Sequence, residues 1–302
     1  MEGPRAVGRF APSPTGPLHL GSLVAAVGSF LFARSAGGRW LVRLEDLDTP
    51  RSVPGAADEI LRALERHGLF WDGAVESQSL RVARYEEALL ELRAQDLVFD
   101  CACTRAEILR SASAPLAPDP VYPGTCRSGL QPGRAPRAVR FRCGAGVIRF
   151  HDAVFGAVEE EPAVAVGDFV VKRADGPFAY QLAVVVDDAA QGVTQVVRGA
   201  DLLSSTARQI ALQRALGLPT PRYAHLPLVL GADGRKLGKR EGALPITALH
   251  EDRARSALRL ALVLLGQDAA EGPVHEVVAE AVTRFDPARI PKGPVQVDTL
   301  PG

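Results

Sequence analysis

Short apolar runs and helix-period segments alternate along the first hundred residues. Val7–Phe10 reads as a short strand, Ser22–Arg34 (SLVAAVGSFLFAR) as a mostly apolar helix closed by Gly37-Gly38, and Trp40–Leu44 as a buried strand. A strand–helix–strand opening predicts a parallel α/β sheet. Two amphipathic helices follow, one from near Pro54 to about His67, the other from Leu80 to about Arg93 with Ser79 as its N-cap. Between Arg110 and Arg137 the period disappears and proline recurs, which predicts irregular backbone. Strand-like runs return at 138–142, 147–150 and 168–172, with a longer one at Phe178–Val186. Leu202–Leu216 reads as a helix ended by Gly217 with Pro219 beyond, Leu226–Leu230 as a strand, and Ile246 to Phe285 as two helices and a loop. No internal repeat interrupts this order.

Composition narrows the class without naming a function. At 302 residues, 47% hydrophobic and 23% charged, the chain has ordinary globular proportions. Lys+Arg and Asp+Glu both total 35, so any contact with nucleic acid needs a local basic face. Four of those cations are lysines (Lys172, Lys236, Lys239 and Lys292), and two of the four share one tetrapeptide. MEGPRAVGRF lacks the apolar core of a signal peptide, and no run reaches the roughly 18 apolar residues of a membrane span. Four cysteines in a chain of this length do not make a secreted disulfide framework. The expectation is a cytoplasmic protein that does not contact membrane. Walker-type phosphate loops, dinucleotide turns, nucleophile elbows and H-E-x-x-H helices are all missing from the sequence.

Three stretches carry candidate chemistry. Arg9–Ser22 (RFAPSPTGPLHLGS) is a proline- and glycine-rich bend between the first strand and the first helix. It aims a helix N-terminus, with its unpaired N–H groups, at whatever anion lies above it, and His19 stands at the mouth. Lys236-Leu237-Gly238-Lys239-Arg240 is a glycine-flanked loop whose lysines, compact and adjustable cations, suit a pyrophosphate. Glu45, in RLEDLDTPR, follows the Trp40–Leu44 strand at its carboxyl end, where open α/β sheets bind ligands. A carboxylate there could hold an ammonium, or pair with Arg43 or Arg51. Separately, Cys101-x-Cys103 and Cys126 bracket most of the irregular loop, a soft-donor spacing that suggests a structural zinc. Cys143 is available as a fourth, softer donor.

PSPTGPLHLGS resembles the first signature of class I aminoacyl-tRNA synthetases in its glutamyl form, with His19-Leu20-Gly21-Ser22 as the signature tetrapeptide. KLGKR is similar to the second signature, with Gly238 where serine is usual, and RLED and VVDD…GVTQVVRGADLL match the glutamyl group. The resemblance runs from Arg9 to about Leu249. It implies a Rossmann-like parallel sheet with a zinc-binding insertion and a short C-terminal helical region. The expected division is 1–100 and 151–245 for the two halves of the catalytic domain, 101–150 for the insertion and 246–302 for the helical region.

The same resemblance implies the site. Arg9, Phe10, Ala11, Pro12, Ser13, Glu45, Tyr180 and Arg198 would surround one L-glutamate, with Glu45 on its ammonium, Arg9 and nearby Tyr180 on its γ-carboxylate and Arg198 on its α-carboxylate. His19, Gly21, Ser22 and Lys239 would bind ATP with Mg²⁺, and His19, Lys236 and Lys239 would stabilise the transferring phosphate. A tyrosine of the Y-P-G-T-C segment, Tyr122, would join Cys101, Cys103 and Cys126 on the Zn²⁺. Only about 60 residues follow the KLGKR loop, too few for an anticodon-binding domain. That shortness resembles the truncated branch of the family, a monomer in this reading, which activates glutamate without tRNA. Its partner is queuosine-containing tRNA(Asp), glutamylated in the anticodon. Asp187, Asp188 and Asp201 stay open between a part in the site and the mere ordering of strand ends.

Overall fold

The computed structural model describes residues 5–111, 121–237 and 251–297. The first unit is β1 (Val7–Phe10), α1 (Leu20–Ser35) and β2 (Arg39–Leu44), followed by α2 (Ala56–Arg66), β3 (Glu76–Ser77) and α3 (Val82–Ala94). β1, β2 and β3 pair in parallel, with Val7 opposite Arg39 and Leu44 opposite Ser77. Next come β4 (Val98–Cys101), α4 (Arg105–Ser111), β5 (Ala138–Phe141), β6 (Ile148–Asp152), β7 (Gly156–Glu160), α5 (Pro162–Ala165) and β8 (Phe169–Lys172). β4, β5 and β8 form their own antiparallel sheet.

α6 (Tyr180–Ala190) then leads to β9 (Gln195–Gly199), a 3₁₀ turn over Ala200–Ser205, α7 (Thr206–Ala215), β10 (Arg222–Leu226) and β11 (Val229–Leu230). β10 lies between β9 and β6, parallel to both, while β7 pairs antiparallel with β6. β9 runs beside β1 in the same direction: Thr194 N–H donates to Val7 O at 2.9 Å, and Arg9 reaches Val197 O. The parallel strands therefore meet at β1 and β9, from which the chain winds outward in opposite directions. This is the α/β fold that the opening pattern predicts. After α8 (Glu251–Leu264) and α9 (Val274–Arg284), β12 (Val295–Gln296) pairs with β11. No helix among the described residues is long and apolar enough to cross a membrane.

Alternation along the central strands divides the sheet into two unlike faces. Phe10, Trp40, Val42, Val197, Ala224 and Leu226 join one apolar core with α1, α8 and α9. α1 can lie flat on that face because Gly28 leaves room; a Cβ there would come within 2.4 Å of a Leu226 methyl. The two C-terminal helices share this core, and Phe32 of α1 meets Phe285 edge-on at 4.9 Å. The residues between, Arg9, Arg43, Arg198 and His225, turn to the other face, under α6 and α7. All four are buried, at 5% exposure or less.

Three expectations are corrected. Phe178–Val186 is not a strand: from Tyr180 onward it is α6. The helix is covered on most sides, so its sequence is apolar nearly throughout, and a short apolar run does not separate buried helix from buried strand. Ser79 is not an N-cap, because its N–H and hydroxyl both donate to the Asp46 carboxylate, at 2.8 and 2.6 Å, and α3 starts only at Val82. The expected strand Leu226–Leu230 is interrupted, since Pro227 has no N–H to give a ladder; β10 ends before it and β11 begins after it.

Candidate active site

Two hollows meet at the carboxyl ends of β1, β2, β9 and β10. The larger, about 300 Å³, is lined by Pro12, Ser13, His19, Gly21, Ser22, Asp201 and Lys236 among others. The smaller, about 120 Å³, is lined by Ser13, Glu45, Gln78, Phe178, Tyr180 and residues of its rim. Ser13 belongs to both. The bend after β1 brings them together: Glu45 N–H donates to Pro12 O at 3.0 Å, tying the end of β2 to the end of β1.

The larger cleft opens over the start of α1. His19 is the N-cap, its Nδ1 accepting from Ser22 N–H at 3.3 Å, with Ser22 Oγ 3.1 Å from Nε2. The ring folds against the first turn because position 21 is glycine; a Cβ there would sit 3.2 Å from the imidazole. No acidic side chain occupies that turn, so its N–H groups and the helix dipole face the cleft as positive charge. On the far wall, the turn at Gly231–Gly234 pairs Leu230 with Lys236, and the Lys236 ammonium forms an ion pair with Asp201. Asp201 is thus a wall residue of the cleft rather than a strand-end ornament. Gly238, Lys239 and Arg240 lie outside the described residues.

Around the smaller pocket the charges are interlocked. Asp188 Oδ1 accepts from Arg9 Nε at 3.0 Å and from Arg43 Nη2 at 2.7 Å. Asp187 accepts from Arg81 Nε at 2.6 Å, Tyr85 Oη at 2.7 Å and Gln78 Nε2 at 2.8 Å. Burial opposes both the Asp188 charge and the Arg43 charge, yet Arg9 and Arg43 together hold Asp188 below the usual carboxylate range, and Asp188, Glu45 and Asp187 hold Arg43 above its ordinary value. Arg9 Nη2 has no hydrogen-bond partner among the described residues. Glu45 lies at the pocket side of this cluster, in which Arg43 Nε and Arg81 Nη2 are also without hydrogen bonds. Its side chain is 12% exposed and its Oε1 is buried without a hydrogen bond, 3.7 Å from Arg43 Nη2. Burial outweighs the arginines and pushes the Glu45 carboxyl up to about 7.

Tyr180 reaches the pocket as the first residue of α6, and its hydroxyl accepts from Arg198 Nη1 at 3.2 Å. It is bonded to Arg198, not to Arg9. Phe10 and Ala11 carry the backbone past the site, with Phe10 on the cleft side. Sequence reasoning offered Arg43 as a partner of Glu45, and the two lie 3.7 Å apart, but it missed Arg81, the work of Asp187 and the tighter pairing of Arg43 with Asp188. The signal was present in RWLVRL, where an arginine inside an otherwise apolar strand requires a buried anion.

The cysteine cluster lies apart from both hollows. The Sγ atoms of Cys101, Cys103 and Cys126 all fall within 4.8 Å of one another. Tyr122 Oη lies 3.4 Å from Cys101 Sγ and 3.8 Å from Cys103 Sγ, and accepts from Cys126 N–H at 2.9 Å. Arg140 covers the Tyr122 ring at 3.9 Å and donates to Cys101 Sγ at 3.3 Å. Burial alone would raise the Cys101 thiol, but bonds from Tyr122, the backbone and Arg140 bring it below its ordinary value. Three convergent soft donors, a nearby phenol oxygen and a balancing cation fit a divalent metal. Cys143 is elsewhere, its thiol on Gly167 O at 3.1 Å within the β5–β8–α6 core.

Glu45 generates a two-sided expectation. In the unfolded chain it ionises near 4.5 and in the fold near 7, so ionising it in place costs roughly 3 kcal/mol. That loss of stability appears as pH rises through the window from 4.5 to 7. Glu45→Gln should therefore melt higher than the parent at pH 8 and alike at pH 4.5, while losing affinity for an amino acid. Calorimetry at the two pH values checks the first; a variant that melts lower at pH 8 would contradict the buried-carboxylate account.

Comparison with known proteins gives the lineage. Residues 6–293 match the family described as tRNA synthetases class I (E and Q), catalytic domain. The glutamyl-Q tRNA(Asp) synthetase of Geobacter sulfurreducens is 54% identical over 296 residues, covering 95% of this chain and 94% of its own. That of Aromatoleum aromaticum is 55% identical, covering 96% and 91%. Among solved structures, a glutamate tRNA ligase from Elizabethkingia meningosepticum, in complex with its amino acid, superposes with a TM-score of 0.80 at 26% identity, over 97% of this chain and 67% of that one. With its parallel sheet, its signature bend over α1 and these relatives along its length, the chain belongs to the glutamyl-Q tRNA(Asp) synthetase family of class I synthetases.

Proposed function

We propose that this chain activates L-glutamate with ATP and transfers it to queuosine in the anticodon of tRNA(Asp), working in the cytoplasm as a monomer. The observation that carries the reading is Glu45: a buried carboxylate oxygen without a hydrogen bond, no nearer than 3.7 Å to Arg43 Nη2, in a pocket that touches the cleft over α1 at Ser13. An ammonium in the pocket would satisfy that oxygen and restore its charge. Arg9 has donors to spare for a carboxylate, and glutamate supplies both groups.

In the first step an α-carboxylate oxygen of glutamate attacks the α-phosphorus of ATP. The P–O bond to the β-phosphate breaks, giving glutamyl-adenylate and pyrophosphate. The nucleophile is already ionised at neutral pH, so no general base is required. Catalysis then consists of positioning and charge stabilisation. The α1 N-terminus and His19 stand where the phosphates would lie. Lys236, on release from Asp201, and Lys239 would meet the leaving pyrophosphate, and Mg²⁺ accompanies ATP as its counter-ion. In the second step a hydroxyl of the queuosine cyclopentenediol attacks the activated carbonyl, forming an ester and releasing AMP. Labelled glutamate, ATP and queuosine-containing tRNA(Asp) provide the test: label is expected in the anticodon-loop fragment after nuclease digestion. Label on the 3′ adenosine would replace this reading with ordinary charging. No glutamate-dependent pyrophosphate exchange would remove the enzymatic reading altogether.

Arg9 is assigned the γ-carboxylate, where it excludes glutamine. Exchanging an anion for an isosteric amide points an NH₂ donor at the Arg9 N–H groups that Asp188 leaves over, and an unmade bond at a charged donor costs about 1–3 kcal/mol or more. Arg9→Gln is expected to lose most glutamate activation while narrowing the preference over glutamine, and Arg198→Gln to weaken both amino acids alike. Pyrophosphate exchange with each amino acid separates these; the opposite pattern would move the selection from Arg9 to the Tyr180 hydroxyl that Arg198 holds.

Cys101, Cys103, Cys126 and Tyr122 are assigned a structural zinc, which would pin the end of β4 to the 121–126 turn. Near-stoichiometric zinc is expected in the parent and in Cys143→Ala, and is expected to be lost in Cys126→Ala. Full zinc in Cys126→Ala would show that the ligand set is wrong.

A further inference from the structure

Arg198 is held entirely by the protein. Its Nε donates to His225 Nε2 at 3.1 Å, Nη1 to Gln209 Oε1 at 2.7 Å and to Tyr180 Oη at 3.2 Å, and Nη2 to Thr206 Oγ1 at 2.9 Å and Leu202 O at 3.2 Å. Five N–H groups meet five acceptors, so the fork has no donor left over. Behind it, His225 is fully buried, with Nδ1 2.6 Å from Asp152 Oδ2. Asp152 Oδ1 in turn accepts from the backbone N–H groups of Val154, Phe155 and His225, at 3.0, 3.0 and 3.2 Å.

The proton positions follow from these contacts. His225 Nε2 faces an obligate donor, Arg198 Nε–H, with Thr206 Oγ1 also 3.3 Å away, so it must present its lone pair. The ring proton therefore sits on Nδ1 and is given to Asp152. Burial keeps the imidazole neutral by holding it below its ordinary value. At the other end, Arg198 occupies a lone pair of the Tyr180 oxygen, so the phenol proton turns away from the guanidinium. Among the described residues that proton has no acceptor, and Tyr180 lines the pocket that also holds Glu45 and Ser13.

We propose that Asp152 and His225 are positioning residues for amino-acid recognition: they fix Arg198, which aims the Tyr180 hydroxyl proton into the pocket as a donor to a carboxylate of the substrate. This rests on the glutamate-activation reading. Neither residue touches the amino acid. Their effect passes through Arg198 to Tyr180, about two side chains away, and reaches the substrate as one well-directed hydrogen bond.

Asp152→Asn tests the chain of protons. Asparagine keeps an oxygen for the three backbone N–H groups but offers an amide NH₂ to Nδ1. The ring proton then moves to Nε2, where it opposes Arg198 Nε–H. The expected result is a KM for glutamate raised about ten- to a hundredfold, the worth of one charge-assisted bond, with the KM for ATP and the turnover at saturating glutamate changed far less. Asp152→Asn/His225→Gln should recover most of that loss, because a glutamine oxygen accepts from Arg198 whatever residue 152 offers. A packing defect would not be rescued this way. ¹⁵N NMR of the imidazole nitrogens in the full chain supplies a readout that needs no variant: His225 should carry its proton on Nδ1, and on Nε2 in Asp152→Asn. A parent protein with the proton on Nε2 overturns the proposal even if the variant fails to fold. So does an Asp152→Asn enzyme whose ATP and glutamate KM rise together, or neither of which rises. A parent without glutamate-dependent exchange overturns the activation reading and, with it, the carboxylate assigned here, whereas the tautomer is measured independently of either.

Discussion

Asp188 sets the geometry around the smaller pocket. One carboxylate oxygen accepts from both Arg9 and Arg43, on neighbouring strands, and so fixes the lateral relation of β1 and β2 beneath α6. Charges this deep are tolerated only when matched, and removing one member of such a pair costs several kcal/mol because the other is left stranded. Asp187 extends the lattice outward to Arg81, Tyr85 and Gln78, which ties α3 to the same helix. Within this array Glu45 Oε1 is a buried carboxylate oxygen without a hydrogen bond that also lies against the smaller pocket.

The two faces of the sheet divide the labour. The face toward α1 is apolar and supplies the packing that holds α1, α8 and α9 together. The opposite face carries buried arginines and a histidine whose partners come from α6, α7 and the end of β6. Alternation along each strand places the two functions one residue apart, so Arg9 lies beside Phe10 and Arg198 beside Val197 in sequence yet on opposite sides of the sheet.

Much of this could be read before any coordinates. The opening strand–helix–strand unit, the bend over α1, the position of Glu45 after β2 and the convergence of Cys101, Cys103 and Cys126 all follow from local pattern, and local pattern is what a single sequence displays. What was illegible depends on burial from outside the segment. α6 looks like a strand because the sheet on one side and its helical neighbours on the other make it apolar all round. Asp187 and Asp188 look like a polar strand end until Arg9, Arg43 and Arg81 arrive from residues a hundred or more positions away. Tyr122 differs: the motif indicates it, and the structure puts its hydroxyl against two of the cysteine sulfurs.

The wall shared at Ser13 has a consequence for what happens between the two chemical steps. In the proposed reaction a mixed anhydride formed across that wall would have its aminoacyl half in one hollow and its nucleotide half in the other. Each half is then tethered to a bound neighbour, so the second contact re-forms at a high effective concentration whenever it breaks. Escape requires both halves to let go together. A labile ester precursor would by this tether wait in the site for a slow, bulky nucleic acid.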